Sequence, residues 1–147
     1  MADSFVKVFV GVVLLICGLQ DIRNKKVHLW VIILGALLVG VGIPFCNTFS
    51  ILDRLGGVAV GAVVIIISAL TSGKIGMGDG LLLCVTGLSM GFWGNLELFA
   101  LALFLAAVLS IVLLVFRLAD RKKCIPFVPF LLFSYLFLMI AKMNNGA

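Results

Sequence analysis

Two aspartates stand where carboxylates are costly. Asp79 lies at the lip of an apolar run in the stretch GKIGMGDGLLLCV, with Gly73, Gly76 and Gly78 before it and Gly80 after it. Asp21 closes another apolar run, in GLQDIR. Two carboxylates held close together cannot both ionise easily, so one pKa rises and the pair shares a proton. The ionised member then takes a proton from water while the protonated member donates to a carbonyl oxygen. That is amide hydrolysis with no covalent intermediate. Glycines allow tight turns, positive φ and close approach of a second backbone. Irregular backbone at membrane depth is tolerated only against protein or a water-filled cavity. The pattern therefore predicts a wet pocket lined by Gly76 and Gly78.

The same residues also suit a plainer reading. Asp21 and Asp79 would then mark helix ends and snorkel to the interface, beside an ordinary glycine loop. Taken alone, the residues leave both readings standing. No other constellation competes. His28 is the single histidine, the serines have no neighbouring base, and no Gly-Lys-Ser/Thr run occurs. The four cysteines, Cys17, Cys46, Cys84 and Cys124, form no C-x-x-C pair, and their nearest spacing is 29 residues. They read as small packing residues rather than metal ligands or a disulfide framework. No metal and no cofactor is expected.

The elements that must position the aspartates are apolar helices. Of 147 residues, 64% are hydrophobic and only 12% charged, and mean hydropathy is +1.35. A soluble domain cannot hide that much apolar surface, so the chain reads as one all-α integral membrane domain, residues 1–147. Transmembrane strands would alternate polar and apolar residues, and these runs do not. Six spans are predicted, over 4–20, 28–44, 51–71, 78–93, 96–116 and 126–142. The breaks are DIRNKK, PFCNT, TSGKIGMGD, GFWGN and ADRKKCIPF. The first run lacks the basic start and small-residue cleavage site of a signal peptide and is read as a permanent helix.

The net charge of +5 would suggest nucleic acid in a soluble protein. Here it comes from basic loops between spans, and no nucleic-acid partner is expected. Eight basic residues (Arg23, Lys25, Lys26, Lys74, Arg117, Arg121, Lys122, Lys123) fall on one side and three (Lys7, Arg54, Lys142) on the other. The positive-inside rule then places both termini outside and the three basic loops in the cytoplasm. Trp30 and Trp93 fall at span ends, where aromatic belts form. Asp21, Asp79 and Asp120 come to the cytoplasmic side, and Asp3, Asp53 and Glu97 to the outside. Asp120 reads as a solvated partner of the cations around it.

The first and fourth spans are shorter than the roughly 30 Å hydrocarbon core, which holds both carboxylates at the membrane edge. An ionisable residue at that depth is a functional candidate. Asp79 opens a helix, where the dipole favours negative charge, and Asp21 ends one, where it does not. On that ground Asp79 is the ionised member and Asp21 the protonated one. Pro126 reads as a helix opener. Pro129 lies deeper, where a freed carbonyl and a mild kink would flank the cleft. His28 and the Arg23–Lys26 loop read as interfacial anchors near anionic lipid. Gly57 and Gly61 form a G-x-x-x-G that permits close helix packing, within the chain or between chains.

Three segments carry a family resemblance. GMGD (76–79) resembles the Gly-x-Gly-Asp motif of intramembrane aspartyl peptidases. DIRNKKVHLW (21–30) and IPFVPFLL (125–132) resemble segments of type 4 prepilin peptidases, in the same order across six spans. The resemblance implies a membrane aspartic endopeptidase that removes the leader of pilin or pilin-like precursors at the cytoplasmic face. It implies Asp21 and Asp79 as the catalytic pair, and Gly76, Gly78, Pro126, Phe127 and Pro129 as substrate-contacting positions. Many relatives carry Lys two residues after the second aspartate, where this chain has Leu81. Larger members also methylate the new terminus through a cysteine-rich cytoplasmic insert. This chain has no such insert in its first loop, so no methyltransferase activity is expected. A competing class is a small transporter component with the aspartates as a proton or cation relay. Another is a structural subunit whose aspartates pair with basic residues.

Overall fold

A computed structural model describes residues 2–24, 28–45, 49–71, 76–116 and 126–145. Among them every regular element is helical: α1 (Ala2–Asn24), α2 (Leu29–Gly42), a short 3-10 turn (Ile43–Phe45), α3 (Ile51–Leu70), α4 (Met77–Val115) and α5 (Val128–Asn145). Segments of α1, α3 and α4 are long and apolar enough to cross a membrane, and α2 and α5 are shorter apolar helices.

The distribution of side chains is that of a bundle in lipid. Phe5, Val8, Leu37, Leu52, Leu70, Ile111 and Phe137 are exposed, whereas Asp21, Arg54, Ser68, Thr86, Ser89, Asn95 and Ser134 are buried. Hydrocarbon offers polar groups no partners, so they gather inside the bundle. Val10, Leu14, Cys17, Leu82, Leu83, Leu98, Leu131 and Tyr135 fill the space around them.

The helix bounds correct the predicted ones in three places. α1 does not stop at residue 20. It runs 23 residues, roughly 34 Å at 1.5 Å per residue, so the first span is not short and Asp21 is its last-turn residue. α5 begins at Val128 rather than Pro126. The predicted fourth and fifth spans both lie in α4, which breaks at Gly91 (φ 72°, ψ −174°). A straight helix would hold Leu83 and Asn95 roughly 18 Å apart. Instead Asn95 Nδ2 donates to the Leu83 carbonyl at 2.9 Å. The arm over 77–90 and the arm over 92–115 therefore fold back on each other at Gly91.

Four glycines bring α3 against the first arm. A Cβ on Gly57 would lie 2.5 Å from the Gly87 carbonyl oxygen, and one on Gly61 would lie 2.5 Å from the Cys84 nitrogen. Conversely, a Cβ on Gly80 would lie 2.6 Å from Ile65 Cγ1, and one on Gly87 would collide with the Gly57 carbonyl. The Gly57/Gly61 pair thus packs within the chain. α1 and α5 lie antiparallel. Gly18 faces Val128 and Pro129 near one end, and Tyr135 Oη donates to the Lys7 carbonyl at 2.7 Å towards the other.

The two ends of the bundle differ. One gathers Asp21, the start of α4 and the start of α5. The other gathers the start of α3 with Asp53 and Arg54, the break at Gly91, and the Glu97–Lys142 ion pair at 3.7 Å. Trp30 and Trp93 are both exposed near helix ends.

Candidate functional site

Asp79 is the third residue of α4. Its backbone N–H donates to the Gly76 carbonyl at 3.1 Å, and its carboxylate folds back over Gly76. A Cβ on Gly76 would lie 2.7 Å from Asp79 Oδ2. Gly76 has φ −62° and ψ 118°, which any residue adopts. This corrects the expectation of a positive φ. What glycine leaves here is room for the carboxylate in its present position, which a side chain would displace. Gly91 is the positive-φ glycine among the described residues. Gly78, the second residue of α4, is half-buried, and Gly73 and Lys74 lie outside the described residues.

Asp21 is buried, with 9% of its surface exposed. Its Oδ2 accepts the backbone N–H of Val128 at 3.2 Å across 107 residues of sequence. Val128 is the first residue of α5, so its N–H has no acceptor within that helix. The Asp21 carboxylate therefore sits at two helix ends at once, the C-terminus of α1 and the N-terminus of α5. The ground for naming Asp21 the protonated member disappears, because the α5 dipole opposes that of α1. Each carboxylate now has one helix N-terminus.

The two carboxylates lie within electrostatic range of each other, although 58 residues separate them in the sequence. Cys17, one turn before Asp21 on the same face, is fully buried. Among the described residues no three His, Cys, Asp or Glu gather as metal ligands do.

The proline segment is placed differently from expectation. Pro126 and Phe127 precede α5, and Pro129 is its second residue. A proline in the first turn displaces no helical hydrogen bond, so Pro129 frees no carbonyl of α5 and produces no kink. Phe127 is half-buried and meets the Phe99 ring edge to face, with centroids 6.4 Å apart. Leu81 packs against the apolar core. An open groove lined by Ile16, Leu19, Gln20, Arg23 and His28 lies on the opposite face of α1 from Asp21, since residues advance about 100° each around a helix. Lys25, Lys26, Cys46, Asp120 and Cys124 lie outside the described residues.

Sequence reasoning missed three features. The Val128 N–H was legible in part, because Pro126 and Pro129 lack donors and leave few N–H groups in that turn. The predicted break GFWGN places Asn95 in a loop. Asn95 is fully buried, donating to Gly57 and Leu83 carbonyls and accepting from Thr86 Oγ1 at 2.7 Å. An amide between two long apolar runs was the available signal. Asp53 and Arg54 were counted only as outer charges, and nothing local showed that they cap the break at Gly91.

No family model, curated protein or solved structure matches this chain.

Proposed function

We propose that this protein is a membrane aspartic endopeptidase acting on leader peptides of pilin or pilin-like precursors. Asp21 and Asp79 activate water and protonate the scissile carbonyl. The chain crosses the cytoplasmic membrane six times, with α4 contributing two crossings, both termini outside and the carboxylates at the cytoplasmic face. The observation that carries the reading is the convergence of Asp21 and Asp79. They come from opposite ends of two different helices and lie within range of each other's charge. Gly76 leaves room for one carboxylate and the start of α5 holds the other. The three segments that resemble the peptidase family thus supply the two carboxylates and a partner for one of them. The count of basic residues independently favours the cytoplasm for that end.

Co-expression with candidate precursors tests it through the mobility shift that leader removal produces. Asp21→Asn and Asp79→Asn are each expected to abolish processing while the protein still inserts. Processing that survives either substitution overturns the peptidase reading and favours a relay, which tolerates loss of one carboxylate.

A further inference from the structure

We propose that the backbone N–H of Val128 is a positioning group for Asp21, so that the Pro126–Pro129 segment serves the reacting pair rather than docking substrate. The inference rests on the peptidase reading. A buried carboxylate needs donors, and one left without them costs far more than a hydrogen bond contributes. The opening of α5 is built to supply one. Pro126 and Pro129 have no N–H. Phe130 and Leu131 both donate to the Phe127 carbonyl, at 3.0 and 3.2 Å. Of the two N–H groups left, those of Phe127 and Val128, it is that of the fully buried Val128 that meets Asp21 Oδ2.

The surroundings hold this donor in place. Gly18 lies one turn before Asp21, and Val128, Pro129 and Leu132 each approach to 3.9 Å of where its Cβ would be. Phe127 is fixed against Phe99. The bond engages one carboxylate oxygen and leaves the other, without a hydrogen-bond partner among the described residues, to water or to the proton shared with Asp79. Among the described residues, the titratable groups facing Asp21 are Cys17 from α1 and Asp79 from α4. Arg23 points away around α1, and the first turns of α5 carry no charge.

The direct test replaces Val128 in the full-length protein with its α-hydroxy acid, which exchanges the N–H for an ester oxygen and keeps the side chain. Without the donor the charged form of Asp21 is disfavoured. The acid limb of the cleavage pH profile is expected to move to higher pH and kcat to fall roughly tenfold, with KM unchanged. A raised KM with an unmoved profile overturns positioning in favour of docking, and unchanged kinetics overturn it outright. Carbon-13 titration of the Asp21 carboxyl in the solubilised protein reads the same bond without any substrate. An upward shift in the ester variant supports the proposal even if no precursor is cut, and an identical titration defeats it even if Asp21→Asn abolishes cleavage. Should the ester variant fail to accumulate, Gly18→Leu, which pushes Val128 and Pro129 away from α1, is expected to shift the same carboxyl upward. An unshifted carboxyl there overturns the proposal.

Discussion

Arg54 donates from Nη1 to the carbonyl of Leu88 at 2.7 Å, across 34 residues of sequence. Leu88 is in the last turn before the break at Gly91, where carbonyls lose their helical donors. Asp53, the preceding residue, accepts the Phe92 N–H at 3.2 Å, and that N–H opens the second arm of α4. One acid and one base at the start of α3 therefore cap both sides of the same break. Arg54 also reaches the Phe49 carbonyl, at 3.4 Å.

Arg54→Met should destabilise the fold by about 1.5–3 kcal/mol, the usual contribution of a hydrogen bond to a charged group. Arg54→Lys should lose less, because an ammonium keeps the charge but lacks the fork that reaches two carbonyls. Thermal unfolding in detergent measures both. A midpoint for Arg54→Met equal to that of the native protein would show that the break holds without its cap.

Asn95 ties three segments together, joining Gly57 of α3 to Leu83 and Thr86 of the first arm of α4. Asn95→Leu removes the amide's bonds to two carbonyls and to the Thr86 hydroxyl, which keeps its bond to the Leu83 carbonyl at 3.1 Å. The expected loss is about 1–3 kcal/mol, moderated because an unfolded chain in the membrane also finds partners. The loss should fall on stability and leave the pH dependence of cleavage unmoved, since none of the amide's hydrogen bonds involves Asp79. A shifted pH profile in Asn95→Leu would contradict that separation.

These two clusters show what one sequence reveals and where it stops. Apolar runs are local, so hydropathy found the helical stretches of the described residues, although two predicted spans fall within α4. The ends of helices are settled by partners, and the partners are distant. α1 continues through Gln20, Asp21, Ile22 and Arg23 because its polar end finds the start of α5, whereas the same letters read alone resemble a loop. The break in GFWGN was legible from its two glycines. That helix resumes at once after Gly91 was not, because Asp53 supplies the acceptor from another helix. Asp21 and Asp79 stood out as carboxylates beside hydrocarbon. The glycine at 76 was legible as special, but for φ rather than for the carboxylate packed over it.

Gly57 and Gly61 of α3 contrast with Gly40 of α2. Gly57→Ala and Gly61→Ala place a methyl 2.5 Å from backbone atoms of the first arm of α4. Backbone cannot swing aside as a side chain can, so each substitution should cost about 1–3 kcal/mol or more through forced separation. Gly40→Ala meets nothing within 4 Å and should be neutral, or stabilising by about 0.5–1 kcal/mol from helix propensity alone. Unfolding midpoints of the three variants give the comparison. If Gly57→Ala matches Gly40→Ala, α3 and α4 are not as closely apposed as the contacts require.

Gly76→Ala separates a stability effect from a chemical one. Its backbone angles suit alanine, so α4 should start where it does now. The added methyl would lie 2.7 Å from Asp79 Oδ2, well inside van der Waals contact, and the carboxylate must rotate away. A displacement near 1 Å at a reacting group costs on the order of a hundredfold in rate. The expected outcome is a drop of that size in kcat, with unchanged insertion and an unfolding midpoint close to native. Gly76→Ser should behave in the same way, because the clash is made at Cβ whatever follows it. Full activity in both variants would mean that the carboxylate reacts from a position other than the one it holds over Gly76.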